Sequence, residues 1–325
     1  MKHIISLSPH VHGGDTVQKN MYGVCIALAP ALVASLCFFG LGAAVVLATS
    51  VVACVLFEWA ITKFILRRND FTIADGSAVL TGLLLGFNLP SNLPIWIIII
   101  GALVAIGVGK LTFGGVGCNP FNPALVGRVF MLISFPVQMT TWPVSGSMGY
   151  VDCMTEATPL AVMSRAIREG NPDILKELPS TLDILIGQTG GSLGEVSALL
   201  LLIGCIFMVG RKIITWHIPV SILVTVAVLA EILHLIDPSY ASPEYVLCSG
   251  GLMLGACFMA TDYVTSPMTH KGQLIYGVSI GVLTLVIRDF GAYPEGMSFA
   301  ILIMNAFTPL INTYIKPKRF GEVKK

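Results

Sequence analysis

The chain has 325 residues, 55% of them hydrophobic and only 11% charged, with a mean hydropathy of +0.83. Soluble domains carry roughly 25% charged residues, so a water-soluble globular fold is excluded and an all-α integral membrane protein is expected. Nineteen Lys and Arg against eighteen Asp and Glu leave a net charge of +1. That balance offers no basic surface for nucleic acid, and the expected environment is the lipid bilayer. The eight cysteines show no Cys-x-x-Cys spacing, so neither a disulfide framework nor a metal or iron–sulfur site held by this chain alone is expected.

Residues 1–22 read as a cytoplasmic N-terminal segment, with neither the apolar run nor the cleavage site of a signal peptide. Ten apolar segments follow, at roughly Gly23–Gly40, Leu41–Leu66, Ser77–Leu89, Ile95–Gly109, Pro123–Met139, Glu195–Val209, His217–Ile236, Tyr245–Ala260, Gly272–Arg288 and Met297–Ile315. A full crossing takes about 20 apolar residues, fewer where a helix is broken. The third and eighth segments are short and stopped by turn residues, Leu89-Pro90-Ser91-Asn92 and Thr261-Asp262, which predicts half-helices. The expected organisation is a first five-helix repeat over 23–139, an extracytoplasmic loop over 140–194, a second five-helix repeat over 195–315 and a cytoplasmic tail over 316–325.

Orientation follows from Lys and Arg. With both termini cytoplasmic, fourteen of the nineteen, Lys110 among them, fall on the inner side, as the positive-inside rule requires. A multi-pass protein of the inner (cytoplasmic) membrane is expected. The stretch from Leu80-Thr81-Gly82 to Pro94 is echoed from Met253-Leu254-Gly255 to Pro267 at a constant shift of 173 residues. Five segments per half is an odd number, so the second repeat is expected to be inverted relative to the first, with broken helices meeting near the midplane.

The long polar loop between the two halves contains a local helix signal. Thr158 suits an N-cap, Pro159 the first helical position, and Gly170-Asn171-Pro172 a stop. An anion attached at Thr158 would meet free backbone N–H groups and the positive end of a helix dipole, with Arg165 and Arg168 further along. The same residues also suit an ordinary capped surface helix.

Ionisable groups inside apolar segments default to functional hypotheses, and Glu58, Arg128, Glu231, His234 and Asp262 qualify. Glu58 lies one turn before Lys63 and the Arg67-Arg68 pair, which predicts a local ion pair near the inner surface. Glu231 and His234 share a helix face, either bonding each other or serving an ion path. Arg128 has no partner nearby in sequence. It follows Asn119-Pro120-Phe121-Asn122-Pro123, whose prolines free backbone groups to line a cavity, so Asn119, Asn122 and Arg128 form a candidate pocket. Thr261 and Asp262 are candidates for the pseudo-equivalent broken-helix site. Cys118 and Cys153 read as inert isolated thiols. No catalytic triad is evident, and electron transfer needs none. From these residues alone an electron-transfer subunit, a small-solute channel or transporter, and a scaffold without cofactor all stay open.

Several of the same residues resemble a known family, the membrane flavoproteins RnfD of Rnf complexes and NqrB of sodium-pumping NADH:quinone reductases. The resemblance covers almost the whole chain. It is carried by Ser8-Pro9-His10, by the stretch from Phe113 through Gly117-Cys118-Asn119-Pro120-Phe121-Asn122-Pro123 to Arg128, by Asp152-x-x-Thr155-x-Ala157-Thr158, and by Met259-Ala260-Thr261-Asp262-Tyr263-Val264-Thr265-Ser266-Pro267. The short N-terminus is closer to the Rnf protein. In that family a flavin transferase joins FMN through its phosphate to the last Thr of an Asp-x-x-(Ser/Thr)-Gly-Ala-Thr motif. The resemblance therefore implies covalent FMN on Thr158, with Asp152, Thr155 and Ala157 completing the motif and Glu156 standing where Gly is usual. It further implies a noncovalent riboflavin in the membrane part, partnership with other Rnf subunits, including an outward-facing FMN subunit and membrane iron–sulfur subunits, and electron flow between ferredoxin and NAD coupled to Na⁺ or H⁺ translocation.

Overall fold

A computed structural model describes residues 16–67, 72–146, 150, 155, 157–187, 189–195, 197–291 and 295–317. Among these the structure is helical, and the one β pairing is an isolated bridge between Pro143 and Thr155. Asp152, Cys153 and Glu156 lie outside the described residues, as do Ser8-Pro9-His10.

The chain opens with α1, Val17–Ala60, capped by Thr16, whose hydroxyl accepts from the Lys19 N–H at 3.1 Å. It runs on as a π-helical turn, Ile61–Ile65. Its 49 residues are more than twice what one crossing takes. Gly40 is the residue inside it with non-helical geometry, at φ 54° and ψ −130°, a conformation that a Cβ would oppose. The predicted boundary between the first two segments falls on that break.

Next come α2 (Ser77–Phe87), α3 (Ile95–Leu103) with a π-helical continuation over Val104–Leu111, α4 (Pro123–Ser134) and the short α5 (Pro136–Met139). At 11 residues α2 spans about 16 Å, half of a bilayer core. It lies against α1 so closely that a Cβ on Gly82 would stand 2.6 Å from the Val51 Cα, and Ser50 Oγ donates to the Gly82 carbonyl at 2.8 Å.

The inter-half loop forms α6 (Pro159–Glu169), a 3₁₀ turn over Pro172–Glu177 and α7 (Thr181–Ile186). The second half contains α8 (Ala198–Gly210), α9 (His217–Ile236), α10 (Pro243–Cys248), α11 (Leu252–Leu254) with a π-helical continuation over Gly255–Met259, α12 (His270–Phe290) and α13 (Met297–Tyr314). Among the described residues four helical stretches, Val17–Ile65, α9, α12 and α13, are long and apolar enough to cross a membrane, and four shorter apolar helices accompany them. Their outward faces carry Val33, Leu41, Val52, Leu56, Ile206, Leu235 and Val286, all more than 45% exposed. This is the surface of a multi-pass membrane protein, whose solvent there is lipid.

The element starts repeat along the chain. Ser77 to Leu252 is 175 residues, Ile95 to His270 is 175, and Pro123 to Met297 is 174. Three helix starts thus recur in the same order, at nearly the same spacing, in both halves.

Candidate functional site

Four of the predicted site residues come together. Asn119, Asn122, Thr261 and Asp262 line one cavity, open to solvent at its mouth, between the broken segments of the two halves. Its apolar walls include Leu80, Leu84, Met208 and Phe258, and Lys110, Ser77 and Thr81 add polar groups. Two of the three π-helical stretches contribute to it, through Lys110 and Phe258. A π turn widens a helix and leaves backbone groups imperfectly paired, which is why such turns recur at functional sites.

The polar side chains there are not equally free. Asn122 caps α4, its Oδ1 accepting from the Ala124 N–H at 3.1 Å, while its Nδ2 donates to the Met259 carbonyl at 3.1 Å. Its amide is thereby committed to joining the two halves. Asn119 Nδ2 donates to the Phe121 carbonyl at 2.9 Å. Among the described residues its Oδ1 takes no protein donor, so Asn119 has more to offer a ligand than Asn122. Thr81 and Thr261 each donate to the carbonyl four residues back, Ser77 and Cys257, at 2.9 and 2.8 Å. Asp262 Oδ2 accepts from the Thr265 hydroxyl at 3.3 Å.

One wall holds a buried ion pair that the sequence did not reveal. Lys110 Nζ donates to both Glu58 oxygens, at 2.9 and 2.8 Å, and to Ser77 Oγ at 2.7 Å, using all three of its protons. Ser77 Oγ in turn donates to Asp75 Oδ1 at 2.5 Å. Lys110 is 3% exposed and Glu58 0%. This corrects one expectation: Glu58 pairs with Lys110 and not with Lys63, whose ammonium lies over the Trp59 ring at 5.0 Å. The partners are 52 residues apart, a separation that helical spacing cannot signal.

Arg128 is set apart from Asn119 and Asn122. It is 3% exposed, pairs with Glu295 just before α13, and donates to Ser298 Oγ within that helix. It is therefore no lone charge: its partner comes from the far end of the chain and ties α4 to α13. His234 Nδ1 meets the Tyr240 carbonyl at 2.6 Å, and Glu231 is exposed.

The expected loop helix is present as α6. Thr158 is its N-cap, at φ −66° and ψ 152°, with Oγ1 accepting from the Ala161 N–H at 3.2 Å, Pro159 at the first position and Gly170 closing the helix at φ 60°. Thr155 and Ala157 are exposed. Thr158 itself is only 6% exposed, in contrast to the open surface position expected of a loop residue. Leu160, Met163 and Ala166 turn the same face of α6 inward against the membrane helices and carry Thr158 with them. Arg165 is bound to Glu169 at 2.9 Å on the exposed face, which holds its guanidinium above the usual arginine range. Lys176 likewise pairs with Asp173 at 2.7 Å and holds that carboxyl below its usual range.

Comparison with known proteins places these features in a family. Residues 4–321 match the model of the NQR2, RnfD, RnfE family. The chain is 41% identical over 322 residues to a protein of Clostridium ljungdahlii named as the D subunit of a proton-translocating ferredoxin:NAD(+) oxidoreductase complex, covering 98% of this chain and 96% of that one. It is 43% identical, with the same coverage, to a protein of Acetobacterium woodii named as the D subunit of a Na(+)-translocating ferredoxin:NAD(+) oxidoreductase complex. To the D subunit of an ion-translocating oxidoreductase complex of Escherichia coli it is 36% identical over 351 residues, covering 98% and 99%. A match along nearly the whole chain on every one of these counts means that the chain belongs to the NQR2, RnfD, RnfE family.

Proposed function

We propose that this chain is the D subunit of a membrane-bound, ion-translocating ferredoxin:NAD oxidoreductase, and that it passes electrons through FMN esterified to Thr158 and through riboflavin in the cavity lined by Asn119 and Asp262. The observation that carries the reading is the end-to-end similarity to three proteins named as that subunit. Its partners are the other subunits of such a complex, among them an outward-facing FMN subunit and membrane iron–sulfur subunits.

The residues fit both groups. An ester at Thr158 Oγ1 keeps the oxygen that caps α6 and sets a phosphate beside the N–H groups of its first turn, where backbone donors and the helix dipole favour an anion. The cavity combines apolar walls for a flat ring with a small number of convergent polar groups, the usual make-up of a cofactor site. Bound flavins would supply the electron-carrying chemistry; the chain supplies position, exclusion of water and fixed charge. Asn119 and Asp262 are the side chains best placed to orient a ring, and Lys110 is locked in place by Glu58 and Ser77.

The topology belongs to the same proposal: ten membrane segments in two inverted five-helix repeats, both termini cytoplasmic, in the inner membrane. The recurrence of helix starts at 174 to 175 residues supports the repeat, and the distribution of Lys and Arg supports the orientation. The two relatives of nearly equal identity are named for different ions, so overall similarity does not select between H⁺ and Na⁺.

The test is the intact mass and in-gel flavin fluorescence of the full-length protein made with its flavin transferase. Wild type should carry the mass of one FMN in ester linkage, and Thr158→Ala should lose both mass and fluorescence while remaining folded in the membrane. A fluorescent Thr158→Ala protein of undiminished mass would place the attachment elsewhere and defeat the motif reading.

A further inference from the structure

α9 and α12 begin side by side, and the residues at their starts are fixed to one another. The rings of Trp216, His217 and His270 stand in a row, with centroids 4.2 and 4.3 Å apart and planes within 20° of parallel. Thr215 Oγ1 donates to Gln273 Oε1 at 2.8 Å. The end of α13 closes the third side, where the Met268 N–H donates to Asn312 Oδ1 at 3.1 Å and Thr269 Oγ1 to the Ile315 carbonyl at 3.3 Å. Three long membrane helices thus share one prearranged surface.

That surface carries Arg211 and Lys212 from the turn before α9, Lys271 from the first turn of α12 and Lys316 just past α13, all exposed. Among the described residues none of the four pairs with a carboxylate. Asp262, in the loop before α12, is turned to Thr265 and to the cavity. Arg211 and Lys316 stand at the C-terminal ends of α8 and α13, where a cation is favourable by itself. That account fails for the other two. Lys271 is the second residue of α12, at the positive end of its dipole. Lys212 holds φ at 59° in the left-handed position that closes α8, where Gly is the ordinary occupant. α9 starts beside them at Trp216 with no side-chain cap, so its first N–H groups add to the positive potential. Positive charge is concentrated here against local preference, and an anion from outside the chain would offset it.

The neighbouring side chains select the kind of anion. Trp216 is 53% exposed and Tyr314 80%, and exposed Trp and Tyr at the ends of membrane helices mark the level of the lipid headgroups. We propose that this surface holds the headgroup phosphate of an anionic phospholipid, with the guanidinium and ammonium groups on the phosphate and the two aromatic rings against the glycerol and upper acyl region. The bound lipid pins α9, α12 and α13 together at one face of the bilayer. The site requires neither a bound flavin nor a particular leaflet.

The full-length protein in detergent is titrated with phosphatidylglycerol and, separately, with phosphatidylcholine, and bound lipid is counted by native mass spectrometry. Phosphatidylglycerol should bind roughly tenfold more tightly, the scale expected of two or more basic side chains at a headgroup. Lys212→Gln/Lys271→Gln should erase most of that preference and leave phosphatidylcholine binding unchanged, while Lys212→Arg/Lys271→Arg keeps it. Arg165→Gln/Lys176→Gln removes the same charge from the polar loop and should change nothing. Phosphatidylglycerol with brominated acyl chains should quench tryptophan emission at the first equivalent bound, and Trp216→Phe should remove most of that quenching. Equal affinity for the two lipids, an equal loss in the loop variant, or first-equivalent quenching undiminished in Trp216→Phe would overturn the proposal. Displacement of the lipid by glycerol phosphate at the same concentration would also overturn it, by making a soluble anion the ligand.

Discussion

The buried pair of Lys110 and Glu58 makes the sharpest energetic prediction. With N–O distances of 2.8 and 2.9 Å and an effective dielectric of ~20, the gross attraction is about 6 kcal/mol. Most of that is spent on desolvating two ions that are 3% and 0% exposed, so the net value of the pair against an apolar pair is small. Removing one partner is a different matter, because the survivor stays buried without the opposite charge that stood 2.8 Å from it. Lys110→Met and Glu58→Leu should therefore each destabilise the protein by about 3–5 kcal/mol, whereas the double variant should come within about 1–2 kcal/mol of wild type. The assay is the fraction of monodisperse protein remaining after graded heating in detergent, measured for all four members of the cycle. Additive losses, with the double variant as unstable as both singles combined, would refute the reasoning. Since Lys110 lines the cavity, the double variant also asks whether noncovalent flavin content depends on that charge independently of stability.

Further predictions come from the same geometry. Gly82→Leu should block the approach of α2 to α1, because even a Cβ there meets the Val51 Cα at 2.6 Å; loss of folded yield checks this, and a normally stable protein would contradict the packing. Thr158→Ala should cost only the N-cap contribution, about 1 kcal/mol, so its membrane level should match wild type even as its flavin is lost. Because Thr158 is 6% exposed, the transferase should label the folded flavin-free protein more slowly than the chain during synthesis, and equal rates would count against the burial. Ser180→Cys should react with an impermeant maleimide from outside, and Lys324→Cys only after lysis; labelling of the latter in intact cells would overturn the orientation.

How much of this was legible in the sequence depended on whether the responsible chemistry is local. The start and stop of α6 were legible because capping is decided within four residues: Thr158 accepts from Ala161, Pro159 lacks a donor, and Gly170 takes the left-handed conformation. The limits of α9, His217–Ile236, and the break at Gly40 follow equally from apolar run length and from a residue without a Cβ. The π-helical stretches were not legible. A shift from i+4 to i+5 bonding over one turn leaves the apolar pattern almost unchanged, so Val104–Leu111 and Gly255–Met259 read as ordinary helix. The ion pairs were not legible either. Glu58 bonds a lysine 52 residues away in sequence, because burial favours a partner that packing brings into the core. Arg128 likewise finds Glu295, far along the chain in the other half.

These long-range partnerships share a physical logic. A helix broken inside a bilayer exposes backbone groups that lipid cannot satisfy, so every break must be sealed by protein. In this chain the seals come from the opposite half: Asn122 of the first half bonds the Met259 carbonyl of the second, and Arg128 of α4 bonds Glu295 and Ser298 at the start of α13. At this junction the first half thus supplies the donors and the second half the acceptors, and the space left between the two interruptions is the cavity. The cavity is therefore a consequence of how the halves are joined, and four of its polar residues, Asn119, Asn122, Thr261 and Asp262, lie in the non-helical stretches at that junction. A substitution that relaxes one seal should open the junction before it melts any helix. Asn122→Ala, which removes both the α4 cap and the bond to Met259, should accordingly alter the cavity's ligand content at a temperature where helicity by circular dichroism is still that of wild type; simultaneous loss of the two would show that junction and helices form one cooperative unit.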